Sequence, residues 1–279
     1  MDRSRPIAVT GATGNLGGGV AAALTAASRP LRLVVRDASR APSGEHEVAV
    51  ASYGDLDAST AALRGVDLLF MVSASESEDR LAQHRTFIDA AAAAGVRHVV
   101  YTSFLGASPG ATFTLARDHW HTEEHLRASG MAVTFLRNSS YLDFLPSLVG
   151  EDGVIRGPAG NGRVGAVARA DIVRAAAAVL LDPATHAGRS YDLTGPEALS
   201  LAEVAETITR VTGRTTRFHD ETLEEAYASR DVYGAPRWEV DAWVSTYTAI
   251  AAGALDVVSD DVERLTGRTP LSLADLLRQ

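Results

Sequence analysis

"VTGATGNLGGG", residues 9–19, decides how the rest of the chain is read. The apolar run Pro6–Thr10 feeds into it, and an alanine-rich stretch with Leu16, Val20 and Leu24 at four-residue spacing leaves it. Gly11, Gly14 and Gly17 therefore form a G-x-x-G-x-x-G turn between a strand and a helix. The first glycine permits the tight turn, and the second lets backbone approach a pyrophosphate. The third lets helix and strand pack closely. The helix that opens here aims its free N–H groups and its positive dipole end at an anion. A glycine triplet alone says little; between a first strand and a first helix it reads as a dinucleotide-phosphate loop.

On either side of this turn, short apolar runs alternate with helical stretches. Strands are expected at 6–10, 31–36, 46–51, 66–72, 96–103 and 131–138, with helices at 15–27, 58–64, 79–95 and 114–129 between them. The runs are uniformly apolar, which implies burial on both faces. That pattern predicts an α/β fold, a doubly wound parallel sheet of the Rossmann type, with a smaller, mostly helical C-terminal cap. The expected division is 1–148 for the dinucleotide-binding domain and 149–279 for the substrate or cap region, with 186–196 returning a strand to the sheet. "GEDGVIRGPAGNGR" (150–163) reads as a glycine-rich loop or hairpin, and 169–182 and 200–213 as helices.

Composition narrows the function classes. Cysteine is absent, so no disulfide, thiolate nucleophile or cysteine-held metal is available. The net charge of −9 carries no long runs and argues against a nucleic-acid groove. The start runs straight into a strand, and the most apolar stretch, "VDLLFMVSA", is too short to span a bilayer, so no membrane insertion and a cytoplasmic location are expected. A homodimer stays open.

The second expected strand ends at Arg36. An acidic residue near this point holds a ribose 2′-hydroxyl, whereas an arginine accommodates a 2′-phosphate through bidentate contact. Arg36, with Arg40 one turn on, favours NADP(H); the adjacent Asp37 is the competing acceptor for a hydroxyl.

Taken in order, "TGATGNLG" (10–17), "VVRDASRA" (34–41), "ASYGD" (51–55), "GVDLLFMVSASE" (65–76), "AAAAAGVRHVVYTS" (90–103), "FLRNSSY" (135–141), "ARAD" (168–171) and "LTGRTPLSLADLL" (265–277) resemble the NmrA-like group of atypical short-chain dehydrogenases/reductases. Within it the chain is similar to the flavin-independent, NADPH-dependent bacterial quinone oxidoreductase type. The resemblance implies cofactor contacts from Gly11, Thr13, Gly14, Asn15, Leu16 and Gly17, and a 2′-phosphate contact at Arg36. On the nicotinamide side it implies Ser73, Ala74, Ser75, Thr102 and Ser103, and it adds Arg137, Asn138, Tyr141 and Arg169. The chain departs from that type at Ser139–Ser140, where a glycine and a bulky aromatic are usual, so a source of stacking on a planar acceptor is missing there.

Lysine is absent as well: all 26 basic residues are arginine. The Tyr-x-x-x-Lys pair, in which lysine lowers the tyrosine pKa for proton exchange with a carbonyl, therefore cannot exist here. Hydride transfer to an acceptor that is electrophilic in itself, such as a quinone, remains feasible, and catalysis then rests on positioning. His119 and Tyr141 are the candidate catalytic residues: His119 as a group titrating near neutrality or, equally, one packed beside the cofactor pocket, and Tyr141 as a proton donor or a cap residue bonded to backbone. The segment "HTEEH" (121–125) spells the H-x-x-E-H of an inverted zinc peptidase. It lacks a third ligand, and His121, Glu124 and His125 read as a solvated helix face, so no metal is expected. Trp120, Trp238 and Trp243 are assigned to packing. The other class of function open to such a chain is a non-catalytic, NADP(H)-sensing regulatory protein.

Overall fold

The computed structural model describes residues 4–279. Its strands are β1 (Ile7–Thr10), β2 (Leu31–Val35), β3 (Glu47–Val50), β4 (Leu68–Met71), β5 (His98–Phe104), β6 (Ala132–Asn138), β7 (Val154–Gly157), β8 (Arg163–Val164), β9 (Ser190–Leu193), β10 (Leu199–Ser200) and β11 (Arg217–Asp220). The longer helices are α1 (Asn15–Ala26), α2 (Leu56–Leu63), α3 (Arg80–Ala94), α4 (Thr114–Ala128), α5 (Arg169–Leu181), α6 (Leu201–Thr212) and α7 (Arg237–Ala251). The chain folds into two compact units whose segments interleave in sequence. The first holds Met1–Ser103, Asp118–Arg137 and Ile172–Tyr191; the second holds Phe104–Arg117, Asn138–Asp171 and Asp192–Gln279. The expected division places a boundary at 148/149 with 186–196 returning to the sheet; here 104–117 groups with the later part of the chain and 172–191 with the earlier.

The first unit is built on a seven-stranded sheet in the order β3-β2-β1-β4-β5-β6-β9. β1 pairs in parallel with β2 and β4, β2 with β3, and β4 with β5. The order reverses direction at β1, the switch point beside which α/β sheets bind ligands. β1 and β4 are buried at every residue, which explains their unbroken apolar runs. One face carries Ala8, Leu69, Met71, Val99, Tyr101, Val133 and Phe135, which follow the two-residue alternation of strands. Leu63 of α2, Phe87 and Ile88 of α3, and Leu126 of α4 pack onto it. α1 approaches α5 so closely that a Cβ on Gly19 would lie 2.7 Å from the Val173 side chain.

The second unit has its own core of Leu105, Leu142, Leu145, Ile155, Val164, Leu201, Val204, Ile208 and Ile250. The hairpin reading of 150–163 does not hold. β7 pairs in parallel with β11, and β8 pairs antiparallel with β10, so each strand finds a partner far along the chain. Short-range turn signals could not reveal those partners, and β11 has an exposed, polar sequence that shows no strand period.

Candidate functional site

The turn from Gly11 to Gly17 adopts the geometry its glycines require. Gly11 sits at φ +63°, a left-handed conformation that disfavours side chains. A Cβ on Gly17 would fall 2.3 Å from the Gly11 carbonyl oxygen, so helix and strand touch backbone to backbone there. Gly14 forms the N-cap of α1 with extended backbone and no side-chain cap, and the first turn carries no acidic residue. The N–H groups and dipole at that end are left for an outside anion. Thr13, Gly14 and Asn15 are exposed, while Leu16 and Gly17 turn into the core.

Within the first unit, Thr10, Gly11, Ala12 and Thr13 line a cleft of about 750 Å³ together with Arg36, Tyr53, Val72, Ser73, Ala74 and Ser75. That size suits a bound small molecule. Arg36 is exposed at the end of β2 and lines the cleft. The competing Asp37 is engaged elsewhere: its Oδ1 accepts from the Ser39 amide (2.9 Å) and the Ser39 hydroxyl (2.7 Å), as the cap of a short 3₁₀ turn. Those bonds hold its carboxyl below the usual range. With Asp37 occupied as a cap, Arg36 is the group facing the cleft, which fits a 2′-phosphate.

The loop after β4 is held from several sides. The Thr10 hydroxyl accepts from Val72 N–H (2.9 Å), Tyr53 donates its hydroxyl to the Val72 carbonyl (2.5 Å), and Thr102 Oγ1 accepts from Ser73 N–H (2.8 Å). Thr102 thus supports the cleft from behind and does not line it. Ser103 and Arg137 are drawn to Glu123, a fully buried carboxylate on α4. Ser103 donates to it at 2.6 Å, and the Arg137 guanidinium grips both oxygens at 2.9 and 2.6 Å. A buried charge persists only when paired and hydrogen-bonded in this way. Sequence reasoning missed Glu123 although it lies inside the segment quoted for a zinc site, because helix spacing does not reveal what faces it.

His119 is also buried, and its ring nitrogens are engaged. Arg80 donates to Nε2 at 3.1 Å, and Nδ1 lies 3.0 Å from the Tyr101 hydroxyl. Since a guanidinium only donates, Nε2 accepts and Nδ1 carries the proton. Burial, with the nearby Arg80 charge, pushes the pKa well below its ordinary value. The expectation of a histidine titrating near neutrality is therefore corrected: desolvation keeps this imidazole neutral.

Of the "HTEEH" segment, Thr122 and Glu123 are buried, while Glu124 is exposed and His121 and His125 are partly exposed. His125 pairs with Asp89 at 2.7 Å and Arg127 with Glu124 at 2.5 Å on that outer side. Among the described residues no group of histidine, aspartate and glutamate is arranged to hold a metal ion. The His121→Ala/His125→Ala double variant is expected to keep wild-type activity and metal content. Stoichiometric zinc by elemental analysis, lost in that variant, would reverse this.

In the second unit, Tyr141 lies under the Arg169 guanidinium, 5.0 Å from ring centroid to carbon, and the Arg169 amide is capped by Asp143 at 2.8 Å. Tyr141 and Ser140 line a cavity of about 570 Å³ with Phe144, Tyr233, Trp243 and Tyr247. Trp243, assigned to packing from the sequence, thus also faces open space. The Asn138 amide and the Ser139 hydroxyl are buried without a hydrogen-bond partner. Leaving such groups unpaired costs about 1–3 kcal/mol each, so they suit a polar ligand. No helix of the described residues is long and apolar enough to cross a membrane.

A parallel α/β sheet with a glycine turn at its switch point, and an arginine on the same cleft, defines a dinucleotide-binding body without the tyrosine–lysine pair. The chain belongs to the NmrA-like family, whose model matches residues 3–236. It is similar to quinone oxidoreductase 2 of Escherichia coli, 35% identical over 96% of each chain. It is also similar to the NAD(P)H azoreductase of Xenophilus azovorans, 32% identical over 98% of this chain and 96% of that one. The crystal structure of the Escherichia coli NADPH-dependent quinone oxidoreductase complexed with NADPH matches over 98% of both chains with a TM-score of 0.90 and 34% identity.

Proposed function

We propose that this protein is an NADPH-dependent oxidoreductase that reduces a quinone or a similarly electrophilic planar acceptor by hydride transfer, without flavin. The observation that carries the reading is the single cleft shared by the Gly11–Thr13 turn and Arg36. Bound NADPH supplies the hydride. The residues that would hold it are the glycine turn and the N–H groups of Asn15 and Leu16 at the start of α1 for the phosphates, the Gly14 N–H being bonded to the Gly11 carbonyl. Arg36 would hold the 2′-phosphate, and Ser73, Ala74 and Ser75 the far wall of the cleft. In the second unit, the unpartnered Asn138 amide supplies a donor and an acceptor that suit a polar ligand group.

The first unit then acts as the dinucleotide-binding part; within the second, Tyr141, Phe144, Tyr233, Trp243 and Tyr247 offer ring faces that suit a planar molecule. These rings take over the stacking that Ser139–Ser140 do not provide. Proton delivery does not fall to His119, which is buried, neutral and bonded at its ring nitrogens. A hydroquinone anion is aromatic and accepts its proton from water, so no strong acid is required, and Tyr141 serves to orient the acceptor oxygen. The similarity to relatives named as a quinone oxidoreductase and an azoreductase supports a planar, electron-poor acceptor. A cytoplasmic location fits a chain without cysteine pairs.

The test follows absorbance at 340 nm with purified protein, a panel of benzo- and naphthoquinones, and no added flavin. Turnover with NADPH is expected to exceed that with NADH. Arg36→Ala should weaken NADPH by about tenfold, the loss of one exposed charge-assisted phosphate contact, and leave NADH within about twofold. Equal losses for both nucleotides would remove the 2′-phosphate assignment. Tight NADPH binding without turnover of any acceptor would favour a sensor over an enzyme.

A further inference from the structure

The inner stripe of α3 is only partly apolar. Arg80, His84, Phe87, Ile88 and Ala91 recur at helical intervals, and all are buried. Phe87, Ile88 and Ala91 join the sheet core, whereas Arg80 and His84 do not. Burying a guanidinium and an imidazole is costly unless they are fully engaged. Both are engaged on one residue of the loop after β4. The Ala74 amide donates to His84 Nε2 at 2.8 Å, and Arg80 Nε donates to the Ala74 carbonyl at 3.0 Å. Ala74 is part of the cleft wall with Ser73 and Ser75.

The clamp is itself braced from α4. His84 Nδ1 lies 2.9 Å from Thr122 Oγ1, which donates to the Asp118 carbonyl at 2.7 Å. Arg80 reaches the Asp118 carboxylate at 3.4 Å and His119 Nε2 at 3.1 Å, and His119 reaches Tyr101. Because the Ala74 amide is the donor, Nε2 of His84 must be unprotonated. Burial, then the Arg80 charge, lowers the His84 pKa to about 3, so that acceptor persists throughout the neutral range.

We infer that Arg80 and His84 are positioning residues for the cofactor: they lock the Ala74 backbone at both its N–H and its carbonyl and so hold the Ser73–Ser75 wall in the shape that receives NADPH, with His119 and Thr122 bracing them. The inference rests on the reading of the cleft as the NADPH site. It gives His119 a function that needs no proton transfer, and it explains two polar residues on an apolar helix stripe.

The experiment measures NADPH affinity by nicotinamide fluorescence, together with the melting temperature, for the wild type, His84→Leu and His84→Gln. Leucine removes the acceptor; the glutamine carbonyl restores one. The NADPH dissociation constant is expected to rise on the order of tenfold in His84→Leu, the effect of an unpaired buried amide at the cleft wall. It should return to within about threefold of wild type in His84→Gln. If both variants bind as tightly as wild type, the clamp has no bearing on the cofactor and the inference falls. It falls equally if the two lose affinity and thermal stability in parallel, since that is a folding effect that glutamine does not rescue. Failure of the wild type to bind NADPH would overturn the cleft reading itself, and the clamp's purpose with it.

Discussion

Replacing Gly14 by valine is expected to raise the NADPH dissociation constant by at least about a hundredfold while the protein stays folded. Two observations separate binding from folding at this position. Gly14 has extended backbone, φ −107° and ψ 178°, which valine adopts readily. A Cβ built there meets only the Gly11 carbonyl oxygen, at 3.4 Å, an ordinary contact. The new methyl groups stand instead where a phosphate must approach the free N–H groups of α1. Overpacking by such groups costs about 1–3 kcal/mol, and each lost charge-assisted hydrogen bond about 1.5–3 kcal/mol more. With two such bonds lost, their sum exceeds two decades of affinity, about 2.8 kcal/mol. Gly17→Ala is the contrasting variant: its Cβ would lie 2.3 Å from backbone, so it should lower the melting temperature. Undiminished NADPH affinity in folded Gly14→Val would remove the phosphate-loop reading.

Acid should unfold this protein well before its carboxylates are titrated. His84, His98 and His119 are all buried. Burial, the first cause in each case, lowers the pKa of His84 to about 3 and of His98 to about 4, and that of His119 well below its ordinary value. His98 is held at Nε2 by Thr134 Oγ1, 2.9 Å away, as the other two are held by their partners. In the unfolded chain the same groups take up protons near pH 6.5. The folded state then binds fewer protons than the unfolded one, so stability rises with pH. The contribution is fully present above the unfolded value and is lost as pH falls from about 6.5 towards the folded values. Each such group removes up to about 1.4 kcal/mol per pH unit, and three together about 4 kcal/mol. A typical stability of about 5–15 kcal/mol is consumed within two to four such units. Urea midpoints measured between pH 7 and pH 4.5 should therefore fall steeply. A flat profile over that interval would show that these histidines charge without breaking their surroundings.

Most strands and helices of the first unit were legible because their apolar runs are continuous. β1, β4 and β5 are buried on both sides, so the sequence records the burial directly. The place of Arg36 at the end of β2 was legible from the linear order, whereas its role as the 2′-phosphate contact remains the proposal. That the adjacent Asp37 carboxylate caps Ser39 was not legible, since it turns on where that side chain points. The second unit was less legible. β7 and β8 are paired by strands dozens of residues distant, and no local pattern encodes a partner. Arg80 and His84 left a readable trace, polar residues on the apolar stripe of α3, although that trace does not say which backbone groups they hold.

By itself the sequence determined the sheet's class, the glycine turn with its anion-facing helix end, and the exclusion of tyrosine–lysine and thiol chemistry. Those follow from residue type and order, through backbone freedom, periodicity and the plain absence of lysine and cysteine. Only the tertiary structure decided that His119 is buried against Arg80 and Tyr101 with its pKa pushed down, that Ser103 and Arg137 gather on Glu123, and that His125 of α4 pairs with Asp89 at the surface. The reason is physical: a side chain's protonation and role depend on its desolvation and its partners, and both are set by elements that the chain brings together from far apart.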